Sequence, residues 1–293
     1  MMNRFSSGIF GLDRLIEGGF RDKTANVIVG SSGTGKTTFA IQFIMHGIEN
    51  GEQGLYISLE EKPKQIMEEA ALMGFDMEKY YEEKLFFIHL KGENFKKMIE
   101  EQLPALVKAR NDYLIKTRTV VDPLTPVIWA TNDKLQQREL IGNLFYTVKN
   151  LGVVVATVEE HARPGETIGE DVLTPVYLSD GVIHLDYYPV GGAFNRTLQI
   201  LKMRGTKHGE GVYPFVFVRG AGIVVRSTPI EKKKEKQSDY SKVFDDAIET
   251  AKMLKAPLSL IMKLENVKKW WNYPYSPEEI IEIIFDSAGL KVR

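Results

Sequence analysis

The chain has 293 residues, of which 43% are hydrophobic; 38 Lys and Arg nearly balance 39 Asp and Glu, and cysteine is absent. This hydrophobicity with near-zero net charge argues against a mainly disordered chain. Proteins that coat nucleic acid through charge alone are usually strongly basic, and this composition is not. The absence of cysteine excludes disulfides, thiolate metal sites, iron–sulfur clusters and cysteine nucleophiles.

Residues 24–160 alternate between patterns typical of strands and of helices. Apolar, β-branched runs predict strands at Ala25–Val29, Leu55–Leu59, Leu85–Leu90, Thr117–Val121 and Val153–Val158. Amphipathic stretches predict helices at Lys36–Glu49, Pro63–Met73, Leu135–Asn150 and Phe95–Arg110, the last kinked or split at Pro104. Because such alternation requires crossover connections, we expect an α/β fold with a mostly parallel, twisted sheet between flanking helices.

The pattern changes after residue 180. Strands follow one another through short Gly-rich connections, at Gly181–Tyr188, Arg196–Met203, Pro214–Val218 and Gly222–Arg226. This predicts an antiparallel extension of the sheet.

The C-terminal part of the chain has its own pattern. Residues 229–238 are rich in lysine and are interpreted as a charged linker, with a specific binding patch as the alternative. Helical patterns return at Tyr240–Lys255 and from Ser276, where Pro277 occupies the first turn and Ser276 with Glu279 predicts a capping box. We therefore expect a main domain over residues 1–228, the linker, and a small helical appendage over residues 239–293.

Residues 30–37, Gly-Ser-Ser-Gly-Thr-Gly-Lys-Thr, match the phosphate-binding loop pattern at every specified position. The loop lies between a predicted strand and a predicted helix, so its N–H groups and the helix N-terminus would bind phosphate. Lys36 would reach the β and γ phosphates, and the Thr37 hydroxyl would bind Mg²⁺. The predicted ligands are ATP and Mg²⁺, and the predicted nucleotide contacts are Ser31, Ser32, Gly33, Thr34, Gly35, Lys36, Thr37 and Thr38.

Carboxylates follow two of the predicted strands. Asp122 ends the fourth strand, where a carboxylate is expected to hold Mg²⁺; the alternative is a turn former ahead of Pro123. Glu60 and Glu61 end the second strand, at the same carboxyl edge of the sheet. They are candidates to polarise water, and the alternative is a solvated helix start ahead of Pro63.

Together these residues resemble the RecA superfamily of P-loop ATPases and, within it, the KaiC-like branch, over residues 4–227. The segments that resemble the family are Phe5–Ile9, Gly11–Asp13, Gly18–Phe20, the paired-glutamate strand Tyr56–Glu61, and Leu201–His208 with Tyr213–Phe215. The segments Leu201–His208 and Tyr213–Phe215 resemble the KaiC stretch that reaches the nucleotide of the neighbouring subunit. The single-domain pattern is closest to an archaeal-type RadA paralogue.

The resemblance implies roles for individual residues. Glu60 would be the main water-activating carboxylate, with Glu61 assisting. Lys202 and Arg204 would contact the γ-phosphate of a neighbouring subunit, where cations stabilise the charge that develops during hydrolysis. Taken without the resemblance, the spacing of the two cations favours an exposed strand rim, and the resemblance reverses that preference.

Thr206 and His208 would line that same shared pocket, again by resemblance. A site shared in this way requires head-to-tail contact, hence a ring or a filament. The family expectation is a hexameric ring.

Two predicted loops and an aromatic cluster are candidates for partner binding. The loop Leu124–Leu135 contains Trp129, and the loop Glu159–Pro175 contains Arg163; both would suit single-stranded DNA. Acidic residues in the second loop oppose DNA, so contact with a subunit or protein partner is the favoured alternative. The aromatic cluster of the appendage is either a docking patch or its small core; its members are Trp270, Trp271, Tyr273 and Tyr275.

The sequence therefore predicts an Mg²⁺-dependent ATPase. The leading expectation is a regulator of DNA recombination or repair that binds single-stranded DNA with ATP. The alternatives are a clock-like or archaellum-motor-like switch acting through protein partners, the appendage among its contacts, and a nucleotide sensor with little turnover. Apolar runs are too short to span a membrane and no secretory signal is visible, so we expect a cytoplasmic protein.

Overall fold

The computed structural model describes residues 3–90, 95–111, 116–161, 169, 172–187, 196–226, 240–271 and 276–290. The strands are β1 (Arg4–Phe5), β2 (Phe20–Arg21), β3 (Ala25–Gly30), β4 (Gln53–Ser58), β5 (Leu85–His89), β6 (Thr117–Asp122), β7 (Gly152–Glu159), β8 (Gly181–Tyr187), β9 (Arg196–Met203), β10 (Val212–Val218) and β11 (Gly222–Val225). The α-helices are α1 (Lys36–Glu49), α2 (Pro63–Leu72), α3 (Phe95–Lys97), α4 (Leu103–Asn111), α5 (Thr125–Trp129), α6 (Lys134–Val148), α7 (Leu173–Leu178), α8 (Ser241–Met253), α9 (Leu258–Trp270) and α10 (Glu278–Ser287).

Strands β3 to β11 form one sheet in the order β11-β10-β9-β8-β3-β7-β6-β4-β5. From β8 to β5 in this order, neighbouring strands pair in parallel. The pairs β8–β9, β9–β10 and β10–β11 are antiparallel. The predicted α/β fold class, with its antiparallel extension, is confirmed.

The register of the parallel strands brings several predicted site residues to one edge. Gly30 at the end of β3 pairs with Glu159 of β7, and Ser58 at the end of β4 pairs with Asp122 of β6. Ligands of open parallel sheets bind at this carboxyl edge. The strand order therefore places the phosphate-binding loop beside the acidic residues.

Both faces of the sheet are covered by apolar side chains. On one face α1 buries Phe39 and Phe43, and on the other α6 buries Leu140 and Leu144. Burial on both faces explains why a central strand such as Gly152–Glu159 is an almost continuous apolar run rather than an alternating one.

Of two local predictions, one is confirmed with a shifted position and the other needs correction. The helix over Phe95–Arg110 is split, as expected, but the break lies ahead of Pro104: a π-helical turn over Met98–Gln102 separates α3 from α4. Pro104 lies just after this turn, and because proline has no N–H to donate, the regular hydrogen-bond ladder cannot continue through it. The expected loop Leu124–Leu135 contains the short helix α5, which begins with a proline in its first turn.

Among the described residues, Arg118 on β6 is the largest fully buried side chain and is 1% exposed. Its Nε donates to Glu52 at 2.5 Å, and its Nη1 donates to the carbonyls of Ser6 at 2.7 Å and Phe43 at 3.0 Å. The guanidinium thus joins the N-terminal segment to α1 and the sheet.

We expect Arg118→Met to lower the free energy of unfolding by about 3 kcal/mol, because Glu52 and two carbonyls lose their buried partner. Urea unfolding measures this. The control is Lys64→Met in the exposed Lys64–Glu68 pair, whose effect should stay below about 0.5 kcal/mol. Equal effects of the two substitutions would contradict the role of Arg118.

Three helices, α8, α9 and α10, pack against the outer strands in the described part of residues 240–290. Phe244, Leu264 and Ile284, one from each helix, share an apolar core with Phe10 and Val224 of the main sheet region. The C-terminal helices are therefore held on the outer strands by a common core.

The predictions for this region are only partly correct. Helix α9 was not predicted. Helix α10 begins at Glu278, and the carboxylate of Glu279, expected in a capping box, binds the guanidinium of Arg226. The expected linker 229–238 lies outside the described residues, and the division into domains 1–228 and 239–293 stays a prediction.

Candidate active site

The loop between β3 and α1 has the backbone conformation that a phosphate-binding loop requires. Gly33 and Gly35 have φ of 76° and 108°, a region that favours glycine. A Cβ atom at Gly35 would also clash with the ring of Phe217. The Thr34 hydroxyl donates to the Ser31 carbonyl at 2.8 Å, which closes the loop ahead of α1.

Lys36 begins α1 and extends back over this loop. Its Nζ donates to the Ser31 carbonyl at 2.8 Å. Burial lowers the pKa of Lys36, whereas the nearby carboxylates of Glu159, Asp122 and Glu160 oppose that change. The ammonium thus lies among acidic groups at the carboxyl edge of the sheet, where a phosphate would bind.

Asp122 at the end of β6 is buried and accepts hydrogen bonds from three hydroxyl groups. The Tyr56 hydroxyl donates to Oδ2 at 2.5 Å, the Thr157 hydroxyl donates to Oδ1, and the Thr37 hydroxyl lies 3.5 Å from Oδ1. Burial raises the pKa of Asp122, whereas the three hydroxyl hydrogen bonds and Lys36 lower it.

This oxygen set fits Mg²⁺ bound together with a phosphate. Asp122 and Thr37 offer a carboxylate and a hydroxyl oxygen, and Mg²⁺ in such sites typically takes its remaining ligands from phosphate and water. Within the described ranges, no group of three or more His, Asp or Glu side chains is arranged to hold a metal by itself. A pair of protein oxygens such as Asp122 and Thr37 suits a metal that shares its coordination with a bound nucleotide.

Glu60 and Glu61 follow β4 and line the same cleft, whose volume is about 380 Å³. The Ser58 hydroxyl donates to the Glu61 carbonyl at 2.5 Å, and the Leu59 N–H donates to the Asp122 carbonyl at 3.2 Å. These bonds fix the turn that places both carboxylates. Partial burial raises the pKa of Glu60, and the charges of Glu159 and Asp122 raise it further.

The cleft also contains residues to which the sequence assigned no role at the nucleotide. These residues are Thr157, Glu159 and Phe217, and they line the cleft together with the predicted contact Thr38, whose hydroxyl lies 3.3 Å from the sulfur of Met73. Their contribution depends on strand order, which places the end of β7 and part of β10 next to the loop. The signal available in the sequence was the acidic end of a buried strand at Glu159.

Lys202 and Arg204 do not line this cleft. Lys202 on β9 pairs with Val182 on β8, and Val182 in turn pairs with Val27 on β3. Val27 lies three residues before Gly30, where the loop begins, so Lys202 is roughly 10 Å from the level of the loop along the strand direction. The Lys202 Nζ donates to the carbonyls of Val176 at 2.9 Å and Tyr177 at 3.2 Å. Burial lowers the pKa of Lys202, and the neighbouring Arg204 lowers it further.

Thr206 and His208 follow at the same end of β9. The Thr206 hydroxyl accepts from Arg4 at 3.2 Å, and the His208 ring lies 3.1 Å from the Gly209 carbonyl. Arg204 is exposed, with its guanidinium 4.0 Å from Asp180. The role of these residues at a neighbour's nucleotide stays a prediction.

The aromatic residues singled out for partner binding differ in exposure. Trp129 is 61% exposed at the end of α5, beside the ring of His161. Trp270 is 40% exposed and stacks with the guanidinium of Arg219, whereas Trp271 packs edge-on against Phe244 in the core. Arg163, Tyr273 and Tyr275 lie outside the described residues. None of the helices within the described ranges is long and apolar enough to cross a membrane.

Comparison with known proteins gives consistent matches. The family model described as "ATPase: KaiC" matches residues 5–230. A UPF0273 protein of Pyrococcus furiosus is 31% identical over 252 residues, covering 80% of this chain and 98% of the relative. The circadian clock protein KaiC3 of Synechocystis is 30% identical over 247 residues, covering 81% of this chain and 48% of the relative, so the match spans about half of that protein.

A solved structure gives the same result. The crystal structure of a KaiC-like protein of Pyrococcus horikoshii has a TM-score of 0.65 and 33% identity, and the match covers 77% of this chain and all of that one. The family match covers the loop, the carboxylates and the strands that position them. The chain therefore belongs to the KaiC-like ATPase family of the RecA superfamily.

Proposed function

We propose that the protein binds ATP with Mg²⁺ in the cleft at the carboxyl edge and hydrolyses it. The observation that supports this most is the convergence of Lys36, the Thr37–Asp122 pair and Glu60 around one cleft of about 380 Å³. A phosphate-binding loop alone argues for binding, whereas the additional carboxylates supply what hydrolysis requires.

Each group in the cleft has a distinct task in this proposal. The loop N–H groups and the start of α1 bind the phosphates, and the Lys36 ammonium exchanges the Ser31 carbonyl for phosphate oxygens. Asp122 and Thr37 would hold Mg²⁺, which when bound offsets negative charge on the phosphates. Glu60 accepts a proton from the water that attacks the γ-phosphorus.

Glu60 suits this task better than its neighbours. It lines the open cleft, and its raised pKa makes its carboxylate a stronger base than that of an ordinary glutamate. Glu61 lies next to it with its backbone fixed by Ser58, which suits a supporting role. Among the nearby carboxylates, Glu159 most strongly opposes the lowering of the pKa of Lys36.

We further propose that Lys202 and Arg204 complete the site of a neighbouring copy, with Thr206 and His208 beside them. Both cations lie away from the cleft of their own chain, and Arg204 is exposed. A head-to-tail ring, a hexamer by family expectation, would bring them to the next copy's γ-phosphate.

Binding and phosphate release measured together test the proposal. Wild-type protein should bind ATP in the presence of Mg²⁺ and release phosphate, and Lys36→Ala should lose both. Tight ATP binding without phosphate release would favour the sensor alternative. An absence of ATP binding by the folded wild-type protein would contradict the proposal.

The pH dependence of hydrolysis follows from the raised pKa of Glu60. A general base must be ionised, so the rate should fall as the pH falls through the raised pKa, above the ordinary value of 4.5. The profile of kcat/KM against pH measures this, and the residual activity of Glu60→Gln should lack the same acid limb. An acid limb below 4.5, or one that survives in Glu60→Gln, would assign the ionisation to another group.

The first candidate for the process driven by ATP is single-stranded DNA binding in recombination or repair. Trp129 supports it, because an exposed indole beside His161 offers a stacking surface. Anisotropy of a labelled oligonucleotide at low salt should rise with ATP and should lose that rise in Trp129→Ala. No binding at low salt with or without nucleotide would remove this candidate.

The second candidate is a switch that acts through a protein partner. It is supported by exposed apolar side chains of the appendage, since Met253 is 70% and Leu258 is 71% exposed around the turn between α8 and α9. Leu258→Glu should then abolish partner capture while ATP hydrolysis is unchanged. Loss of DNA binding in the same variant would contradict this candidate.

A further inference from the structure

Tyr56 is a fully buried tyrosine whose hydroxyl meets a carboxylate at the candidate site. It lies near the end of β4, is 0% exposed, and donates to Oδ2 of Asp122 at 2.5 Å. The neighbouring side chains of the strand, Leu55 and Ile57, are apolar and buried. A phenylalanine ring would fill the same space, so packing alone does not account for the hydroxyl.

A buried hydroxyl is unfavourable unless it is hydrogen-bonded, and a charged acceptor makes the strongest such bond. The Tyr56 ring stacks on Phe87 with the ring centroids 5.2 Å apart. This contact, together with burial in the core, fixes where the hydroxyl lies. The hydroxyl therefore holds one oxygen of Asp122 in a set position.

The other oxygen of the same carboxylate faces the phosphate-binding loop. Oδ1 accepts from the Thr157 hydroxyl and lies 3.5 Å from the Thr37 hydroxyl at the start of α1. Each carboxylate oxygen has two acceptor positions, so the bonds from Tyr56 and Thr157 leave acceptor capacity on the carboxylate. With Oδ2 held by Tyr56, the carboxylate cannot rotate away from Thr37 without breaking a buried hydrogen bond.

We propose that Tyr56 is a positioning residue for Asp122, which orients the carboxylate toward Thr37 and thereby sets the affinity of the nucleotide site for Mg²⁺. The proposal rests on the proposed function, because it assumes that Asp122 and Thr37 hold Mg²⁺ when ATP is bound. Its basis is the hydroxyl–carboxylate contact, which no other part of the proposed mechanism requires.

A purely structural role is the competing explanation, and the two roles differ in what they change. A structural hydrogen bond would alter stability alone. A positioning hydrogen bond would also alter the Mg²⁺ dependence of nucleotide binding, because groups that orient a metal ligand typically change metal affinity by about 10–100-fold when removed. The decisive quantity is therefore the Mg²⁺ concentration that gives half-maximal binding.

The test uses Tyr56→Phe in the full-length chain with a fluorescent ATP analogue at fixed concentration. Mg²⁺ is titrated, and binding in excess EDTA gives the metal-independent affinity. We expect the Mg²⁺ midpoint to rise about tenfold, while the affinity in EDTA changes less than about twofold. The matched control is Tyr80→Phe, another tyrosine packed on the core outside the cleft, whose midpoint should equal the wild-type value.

Three outcomes are distinguishable. An unchanged midpoint in folded Tyr56→Phe overturns the inference and leaves the proposed function intact. An absence of Mg²⁺-dependent nucleotide binding in wild-type protein contradicts the proposed function itself. If Tyr56→Phe does not fold, Tyr56→Met also removes the donor while filling the space, and the same rise in midpoint is expected.

Discussion

Glu60→Gln is expected to lower the rate of ATP hydrolysis by about a thousandfold, because the amide cannot accept the proton of the attacking water. Glutamine has nearly the shape of glutamate, and Glu60 does not contact the phosphate-binding loop by any described hydrogen bond. ATP affinity should therefore change little. Steady-state phosphate release and equilibrium ATP binding measure the two quantities separately.

The control for this substitution is Glu61→Gln, one residue further along the same turn. Glu61 is held through its backbone by Ser58 and lies beside Asp122, so we expect it to act only through its charge. A loss of about tenfold or less would fit that role. A larger loss in Glu61→Gln than in Glu60→Gln would exchange the roles of the two carboxylates.

Arg204→Ala is expected to lower hydrolysis about a thousandfold or more, in the range known for arginines that reach a γ-phosphate from a neighbouring molecule. The residue is exposed in its own chain and bonded loosely, at 3.4 Å to the Tyr177 carbonyl and 4.0 Å to Asp180. Stability should change little, because exposed ion pairs contribute about 1 kcal/mol or less. Phosphate release and thermal unfolding of the same sample distinguish the two effects.

Arg138→Ala provides the comparison, since Arg138 is exposed on α6 and lines no part of the cleft. Its rate of hydrolysis should equal the wild-type rate. Normal hydrolysis by Arg204→Ala would show that Arg204 belongs to an exposed strand rim, which is the alternative interpretation of its sequence context.

Local sequence patterns predicted much of the fold. Helix α1 has the predicted bounds, Lys36–Glu49, because a phosphate-binding loop defines its start and Asn50–Gly51 end it. Helix α9 was missed although Leu260, Lys263, Leu264 and Val267 face inward at helical spacing. A lysine interrupts that apolar pattern, and its partner, Glu49 at 3.3 Å, comes from a distant part of the chain.

The candidate site shows the same division between local and distant information. Lys36, Thr37, Asp122 and Glu60 were predicted because each follows a recognisable strand or lies in a continuous motif. The contact between Tyr56 and Asp122 joins residues 66 positions apart and depends on β4 lying next to β6. Glu159 likewise reaches the cleft only because β7 pairs with β3. The order of the strands in the sheet brings these residues to the site, and the periodicity of the sequence does not determine that order.

Mixing two inactive variants tests the shared site most directly. Lys36→Ala lacks the phosphate-binding ammonium, and Arg204→Ala lacks the cation offered to a neighbour, so each protein alone should be inactive. In random equimolar assemblies roughly a quarter of the interfaces would combine an intact Lys36 with a neighbour's intact Arg204. We predict that the mixture recovers about that fraction of wild-type phosphate release, whereas a mixture as inactive as its components, with subunit exchange demonstrated, would contradict a nucleotide site formed by two copies of the chain.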